Sequence, residues 1–333
     1  MGTSLGDLLD GVATVVDPNS PALIHNDRTI TWGQFDKRTN NLANAILKRG
    51  VDYNDKAAVY MRNCAEYSEA VAAAFKSRTV HHNVNFRYTA EELTYIFDNS
   101  DAAVIFFSSE FAGQMTSLKD KLPKVKLFIE VTPLGAQPLF DGALSHEDLV
   151  NEGDGAPLAI ERSGDDLFFL YTGGTTGMPK AVMWPHETFR SLGIAGAALL
   201  GKDMSTLAST LAAVKAEPSV VRMLPACPLM HGTGLFTSLS VLFAGGAVVT
   251  MDSEQGLDTA DLWRTVVKQG VNTMAIVGDA FGKPLLKELE ENPGKYNLDH
   301  MAAITSSGVM WSREVKLGLL KHMPNVILND SFG

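Results

Sequence analysis

The chain alternates short apolar runs with helical patterns along almost its whole length, and this alternation restricts the fold more than any other feature. The run Ala103–Phe107 is wholly apolar, and only Glu130 interrupts the run Leu127–Val131. A strand with one face in water would alternate polar and apolar residues, so both runs are predicted to be strands buried on two faces. The sequence therefore predicts an α/β fold with a mostly parallel sheet covered by helices on both faces.

Two capping boxes mark helix starts in the first half, at Thr31 with Gln34 and at Thr89 with Glu92. The second half repeats the alternation of strands and helices. Its predicted strands are Asp166–Tyr171, Thr273–Val277, Ala302–Thr305 and Val326–Asn329, and its predicted helices are Glu187–Leu200, Asp258–Gln269, Lys283–Glu291 and Arg313–Met323.

The segment Thr132–Asp165 contains several prolines and glycines and is interpreted as a connection between two subdomains. Residues 1–165 are accordingly predicted to form a first α/β subdomain with this connection. Residues 166–333 are predicted to form a second α/β subdomain.

The composition is that of a globular protein, with 45% hydrophobic and 20% charged residues. The net charge of -10 argues against a nucleic-acid partner, because binding a phosphate backbone requires a basic surface. Cys64 and Cys227 form neither a disulfide framework nor a CxxC metal pair. The residues Met1–Asp10 lack the basic region of a secretory signal, so a cytoplasmic location is predicted.

One uncharged stretch, Gly232–Met251, is long enough to be tested as a membrane span. It contains several hydroxyl side chains, and the pair Gly245–Gly246 interrupts it. A helix near Leu235–Ala244 followed by a buried strand at Ala247–Met251 fits this pattern better than a span.

The strongest chemical signal is the segment Tyr171-Thr-Gly-Gly-Thr-Thr-Gly-Met-Pro-Lys180, which follows a predicted buried strand. Glycines allow backbone N–H groups to approach a phosphate, and hydroxyl and ammonium groups add donors. The residues that could supply these features are Thr172, Gly173, Gly174, Thr175, Thr176, Gly177 and Lys180. The P-loop of nucleoside triphosphatases is excluded, because Met178-Pro179 separates the last glycine from the lysine. Since Ala181–Trp184 is strand-like, the loop is predicted to join two strands.

Two further segments follow predicted strands. In Pro228-Leu-Met-His-Gly-Thr-Gly234, His231 lies between a strand-like run and a helix start, a usual place for a site residue. Ser306-Ser-Gly-Val-Met310 offers small residues that leave room for a flat or narrow ligand. Asp279, in Val277-Gly-Asp-Ala-Phe281, is interpreted as a helix N-cap, with a place in a pocket as the alternative.

The glycine-rich segment resembles the phosphate-binding signature of the adenylate-forming superfamily, with Ala181 in place of the final glycine. The resemblance implies the stacked α/β subdomains of that superfamily's large N-terminal domain. It also implies that Thr172–Lys180 binds the phosphates of ATP and that Thr172 contributes to a Mg²⁺ site.

The segment Pro228–His231 resembles the Pro-Leu-Phe/Met-His of acyl- and aryl-CoA synthetases, whose histidine lies beside the acyl carboxylate. The resemblance implies a catalytic role for His231. The residues implied in the acyl or adenine pocket are Met230, Gly234, Val277, Gly278, Ser307, Gly308, Phe332 and Gly333. An aspartate-bearing motif typical of amino-acid-activating relatives is absent near His231, which favours a simple acid such as a fatty acid.

Phe332-Gly333 resembles a family pair that precedes a magnesium-binding glutamate, and the sequence ends before this glutamate. The chain is therefore expected to be the N-terminal portion of a fatty-acid–CoA ligase that lacks the C-terminal domain and full activity. The implied substrates are ATP, a fatty acid and coenzyme A, with Mg²⁺. The alternatives are a non-catalytic fragment or pseudoenzyme, an aryl-CoA ligase, a luciferase, and an unrelated α/β binding module. A homodimer and peripheral membrane contact remain open.

Overall fold

The computed structural model describes residues 2–172, 177–199, 202–252 and 256–331, and it has the predicted α/β fold. Its strands, in chain order, are β1 (Pro21–His25), β2 (Arg28–Thr31), β3 (Lys56–Tyr60), β4 (Val80–Asn83), β5 (Ala102–Ser108), β6 (Leu127–Val131), β7 (Leu144–Ser145), β8 (Leu167–Thr172), β9 (Lys180–Pro185), β10 (Arg222–Pro225), β11 (Ala247–Thr250), β12 (Thr273–Ile276), β13 (Ala303–Ser306) and β14 (Ile327–Asp330).

The α-helices occupy most of the segments between these strands. In chain order they are α1 (Leu5–Val15), α2 (Trp32–Lys48), α3 (Ala65–Ser77), α4 (Ala90–Asn99), α5 (Ala112–Leu118), α6 (His146–Val150), α7 (His186–Leu199), α8 (Leu207–Ala216), α9 (Gly232–Phe243), α10 (Thr259–Gln269), α11 (Gly278–Glu291) and α12 (Arg313–His322). Short 3₁₀ helices precede and follow α5, at Ser109–Phe111 and Lys119–Lys121.

The first compact unit comprises residues 1–20, 31–62 and 66–217. Its sheet has the order β7-β6-β5-β3-β4-β8-β9, in which β8 and β9 pair antiparallel and the other neighbours are parallel. Strand β5, which lies inside this sheet, is buried from Ala102 to Phe107, as the wholly apolar run predicted. This burial lets β5 contribute side chains to packing on both faces of the sheet.

The second compact unit comprises residues 21–30, 63–65 and 218–333. Its sheet has the order β14-β13-β12-β10-β11-β1-β2. Strand β1 enters this sheet beside β11, with Leu23 opposite Val248. Trp263 of α10 and Trp311, which precedes α12, are both buried in a hydrophobic core that these helices share with α11.

The two units do not divide at the predicted boundary between residues 165 and 166. Residues 166–217 belong to the first unit, because β8 extends the sheet beside β4, with Phe169 opposite His82. Residues 21–30 belong to the second unit, because β1 pairs with β11. Both corrections arise from strand pairings between residues far apart in sequence, which a local pattern does not contain.

The capping signals locate most helix starts correctly. The capping boxes at Thr31 and Thr89 are both formed, and Asp258 caps α10, which ends at the left-handed Gly270. The prediction for Asp279 was wrong, because α11 begins one residue earlier, at Gly278, and therefore contains Asp279 in its first turn.

The uncharged stretch tested as a membrane span forms α9 and β11, as the predicted helix and strand. Within the part of the chain that the structure describes, no helix has both the length and the apolar character that crossing a membrane requires.

Candidate functional site

The glycine-rich segment connects two antiparallel strands in the first unit, as the sequence predicted. Thr172, the last residue of β8, lies directly opposite Lys180, the first residue of β9, and both are exposed. Strand β8 is parallel to β4, so its final residue reaches the carboxyl edge of the sheet, where α/β proteins bind ligands. The structure therefore presents a hydroxyl and an ammonium group on either side of one loop.

Four residues predicted to bind phosphate, Gly173, Gly174, Thr175 and Thr176, lie outside the described residues. Gly177 is described and has a φ of +125°, a conformation that favours glycine. An added Cβ at Gly177 would have no neighbour within 4 Å among the described residues. The glycine at this position is thus explained by its backbone conformation and not by crowding.

The residue before Thr172 is held firmly. The Oδ1 of Asn83 accepts a hydrogen bond from the Tyr171 N–H at 2.7 Å, and its Nδ2 donates to the Tyr171 carbonyl at 3.0 Å. The Tyr171 hydroxyl donates to Asn99 at 2.8 Å, and burial raises the pKa of Tyr171 to about 12. The loop therefore begins at an immobilised tyrosine, which keeps its proton at neutral pH.

The far side of the loop also contacts α4, since the Tyr95 hydroxyl donates to the Pro179 carbonyl at 3.4 Å. The sequence reasoning missed Asn83, Tyr95 and Asn99. A signal for Asn83 existed, because an asparagine ending a buried strand needs hydrogen-bond partners for its amide.

In the second unit, three predicted site segments follow three adjacent parallel strands. The His231 segment follows β10, Val277–Gly278 follows β12, and Ser307–Gly308 follows β13. Pro225 pairs with Ala275, and Ile276 pairs with Ser306, so the three strands end at nearly the same level. The structure thus brings these segments to one edge of the sheet.

His231 is exposed and occupies the N-cap position of α9, and its N–H donates to the Pro228 carbonyl at 3.1 Å. Met230, directly before it, is 1% exposed. A Cβ at Gly234 would lie 2.6 Å from the Pro228 carbonyl oxygen, so only glycine lets α9 approach this loop. Gly234 therefore sets the position of the His231 segment.

The segments after β12 and β13 contact each other closely. A Cβ at Gly278 would lie 2.4 Å from the Met310 carbonyl oxygen, and its φ is +49°. The Gly278 N–H donates to the buried Ser306 hydroxyl at 2.9 Å. Gly308 has a φ of +87°, and an added Cβ would be 3.6 Å from Val277 Cγ1. Val277, Gly278, Gly308 and Ser306 are therefore neighbours at this edge of the sheet, and their place in an acyl or adenine pocket stays a prediction.

Asp279 has a structural role beside these residues. Its carboxylate accepts a hydrogen bond from the Ser312 N–H at 2.8 Å, which lowers the pKa of Asp279. The remaining predicted pocket residues, Phe332 and Gly333, lie outside the described residues.

The sequence matches the family described as AMP-binding enzyme over residues 13–333. The chain belongs to this family. The AMP-binding match includes the glycine-rich segment and most of both units of the fold.

Two relatives agree with this AMP-binding assignment. The chain is 35% identical to a 3-oxocholest-4-en-26-oate–CoA ligase of Rhodococcus rhodochrous, across 100% of the chain and 60% of that protein. It is 32% identical to a medium/long-chain-fatty-acid–CoA/3-oxocholest-4-en-26-oate–CoA ligase of Mycobacterium marinum, across 99% of the chain and 60% of that protein. It therefore spans about 60% of the length of these relatives.

The fold of this AMP-binding chain resembles that of the inhibitor-bound N-terminal domain of FACL13 from Mycobacterium tuberculosis. The TM-score is 0.79 at 21% identity, and the match covers 100% of the chain and 76% of the FACL13 domain.

Among the described residues, no group of three or more histidine, cysteine, aspartate or glutamate side chains could hold a metal ion. Mg²⁺ is commonly bound by one or two carboxylates together with substrate phosphates. The exposed Thr172 hydroxyl remains the predicted protein donor to an ion bound in that way.

Proposed function

We propose that this protein activates a hydrophobic carboxylic acid with ATP and transfers the acyl group to coenzyme A. In the first step, a carboxylate oxygen bonds to the α-phosphorus of ATP, the α–β phosphoanhydride bond breaks, and pyrophosphate leaves. In the second step, the coenzyme A thiolate attacks the acyl carbonyl, and AMP leaves. Because the chain spans about 60% of the length of its relatives, we propose the complete reaction for a protein of the relatives' length.

The observation that carries this proposal is the opposition of Thr172 and Lys180 across the β8–β9 pair. Both side chains are exposed at the ends of the strands that the glycine-rich loop joins. A hydroxyl and an ammonium group fixed on either side of such a loop suit a chain of negatively charged phosphates.

The role proposed for these residues is electrostatic. Charge shifts towards the leaving pyrophosphate in the first step, and donors that are already in position stabilise it without reorganising. Lys180 would contribute a positive charge, and Thr172 would contribute its hydroxyl oxygen. Bound Mg²⁺ would supply additional neutralisation of the phosphate charge.

We propose His231 as the residue beside the substrate carboxylate. Its exposure at the start of α9 leaves it accessible, and the buried Met230 anchors the chain immediately before it. The positions Val277, Gly278 and Gly308, at the same edge of this sheet, are apolar or lack a side chain, which favours an acid with no polar substituent near its carboxylate.

The nucleotide site is tested by replacing Lys180 with methionine. Lys180→Met should weaken binding of Mg·ATP about tenfold or more, because a charge-assisted hydrogen bond contributes about 1.5–3 kcal/mol. Isothermal titration calorimetry measures this loss. Lys215→Met, which removes an exposed lysine from α8, is the matched control and should leave binding unchanged. Equal affinities in Lys180→Met and the wild-type protein would contradict the assignment.

A steroid acid is a second candidate substrate. The Rhodococcus relative named for 3-oxocholest-4-en-26-oate is 35% identical to this chain. This acid carries its carboxylate on an alkyl side chain, with its 3-oxo group at the far end of the steroid, so the same apolar segments suit the part next to the carboxylate.

A further inference from the structure

We propose that Asn63 and Asn83 are positioning residues, each of which fixes the backbone of one candidate site loop through its side-chain amide. Asn63 fixes the segment that leads to His231 in the second unit. Asn83 fixes the residue that leads to Thr172 in the first unit. The proposal rests on the function proposed above and adds residues that lie outside both motifs and bond to backbone groups.

The Asn63 amide bonds to three backbone groups of the segment after β10. Its Oδ1 accepts from the Leu229 N–H at 2.7 Å, and its Nδ2 donates to the carbonyls of Pro225 at 3.2 Å and Cys227 at 3.1 Å. One side chain thus uses its acceptor and both donors on a stretch of five residues.

This stretch is irregular and has few backbone hydrogen bonds of its own. Pro228 has no N–H. The Ala226 N–H donates to the Ala275 carbonyl, and the His231 N–H donates to the Pro228 carbonyl. The carbonyls of Pro225 and Cys227 accept from the Asn63 amide instead. His231 follows Leu229 by two residues, so loss of the amide should release the backbone that orients the imidazole.

A separate observation concerns Asn83. The backbone pairing of β4 and β8 is limited to His82 opposite Phe169, and the Asn83 amide then bonds both the N–H and the carbonyl of Tyr171. Asn83 is 3% exposed, and its side-chain amide provides the hydrogen bonds that a further backbone pair between β4 and β8 would have made. Because Thr172 follows Tyr171 directly, this amide determines where the glycine-rich loop starts.

A third asparagine provides a matched control at the opposite edge of the second sheet. Asn272 precedes β12, and its amide accepts from the Arg222 N–H at 3.0 Å and donates to the Val220 carbonyl at 2.9 Å. It therefore holds backbone in the same way as Asn63 and Asn83, but at the amino ends of the strands. Its removal should cost stability without altering either site loop.

The experiment compares Asn63→Ala, Asn83→Ala and Asn272→Ala in the protein at the full length that its gene encodes. ATP–pyrophosphate exchange is measured with octanoate, palmitate and 3-oxocholest-4-en-26-oate. Asn63→Ala should raise KM for the acid or lower kcat at least tenfold while KM for ATP changes less than threefold. Asn83→Ala should raise KM for ATP at least tenfold, with a smaller change for the acid.

Asn272→Ala should retain both KM values within threefold at a comparable loss of thermal stability. Equal effects of all three substitutions on both substrates would overturn the positioning roles, because a general loss of stability would explain them. Where an alanine variant fails to fold, Asn63→Asp or Asn83→Asp replaces it, since aspartate keeps the acceptor but loses the donor.

Hydrogen exchange tests the same proposal without relying on activity. Asn63→Ala should accelerate exchange in residues 226–232, and Asn83→Ala should accelerate it at Tyr171 and Thr172, each at least tenfold. Unchanged exchange at these residues would overturn the proposal. Wild-type protein that shows no pyrophosphate exchange with any of the three acids would contradict the proposed function instead, and hydrogen exchange would still decide the positioning roles.

Discussion

At the scale of single residues, the first unit is unusual in its buried histidines. His81 and His82, which are adjacent in β4, are both 0% exposed. Burial lowers the pKa of His81 to about 3 and that of His82 to about 4. Neither ring nitrogen of His81 has a hydrogen-bond partner among the described residues. Folding therefore requires this ring to be neutral and desolvated.

The stability of the protein should consequently fall in mild acid. The unfolded chain binds protons at these histidines below about pH 6.5, whereas the folded chain does not until far lower pH. The free energy of unfolding therefore keeps its full value above about pH 6.5 and falls progressively as the pH drops towards 4, because protons bind to these histidines only in the unfolded chain. His81→Leu should reduce this pH dependence and leave stability at pH 7 equal or up to about 2 kcal/mol higher. Urea denaturation at pH 5 and pH 7 measures both effects, and an unchanged dependence would contradict this account.

Gly278 illustrates how one residue can fix two segments of the candidate site. Gly278→Ala should lower the free energy of unfolding by about 2–5 kcal/mol, because it adds a methyl group against the Met310 carbonyl at a left-handed backbone position. Gly113→Ala is the control. Gly113 lies in α5, and a Cβ added there would have no neighbour within 4 Å among the described residues. It should be neutral or stabilising by up to about 1 kcal/mol. A loss in Gly278→Ala no larger than in Gly113→Ala would show that the site tolerates a side chain.

At the scale of elements, Glu130 explains how the chain turns after β6. The side chain is 0% exposed, and its carboxylate accepts backbone hydrogen bonds from Leu139 at 3.0 Å and from Phe140 at 2.9 Å. The Phe140 ring packs against Phe107 and Phe128 in the core. The single polar interruption in an apolar strand thus attaches the following connection to the sheet.

Glu130→Gln should destabilise the first unit, because a neutral amide replaces a buried carboxylate that accepts from the N–H groups of Leu139 and Phe140. The expected loss is about 1–3 kcal/mol of unfolding free energy. Proteolysis should also become faster within residues 132–143, which the carboxylate holds. Glu290→Gln, at an exposed position of α11, is the control and should change stability by less than about 0.5 kcal/mol. Equal protease resistance in Glu130→Gln and wild type would contradict this role.

At the scale of the whole molecule, the order of substrate preference is the most informative measurement. Each CH₂ group buried from an acyl chain contributes about 0.8 kcal/mol, so the six extra CH₂ groups of octanoate should raise kcat/KM about 10³-fold over acetate. Palmitate or 3-oxocholest-4-en-26-oate should equal or exceed octanoate. The assay is pyrophosphate release by the full-length gene product, with benzoate and phenylalanine included.

A preference for acetate or phenylalanine over both fatty acids would contradict the predicted substrate class. A preference for benzoate would favour the aryl-CoA ligase alternative. Gly308 is unsuitable as a site for blocking the pocket, because its φ of +87° strains any side chain. Val277→Phe is preferable, since Val277 has ordinary backbone geometry and lies beside Gly308; it should reduce activity with the longest acids first.

Local sequence patterns were sufficient for much of the fold, including the two strands that flank the glycine-rich segment. The apolar run of β5, the capping boxes of α2 and α4, and the strand–loop–strand arrangement around Tyr171–Lys180 all appear in the structure as predicted. Each of these features depends on residues within about a dozen positions of one another, so their periodicity and spacing carry the information.

Contacts between distant residues required the tertiary structure. The pairing of β1 with β11, the bonds of Asn63 and Asn83 to the site loops, and the approach of Gly278 to Met310 all join segments that a local pattern treats separately. The sequence indicated that glycines and asparagines lie near the candidate site. Which backbone groups they approach depends on how the strands are ordered in each sheet, and many strand orders are compatible with the same alternation of strands and helices.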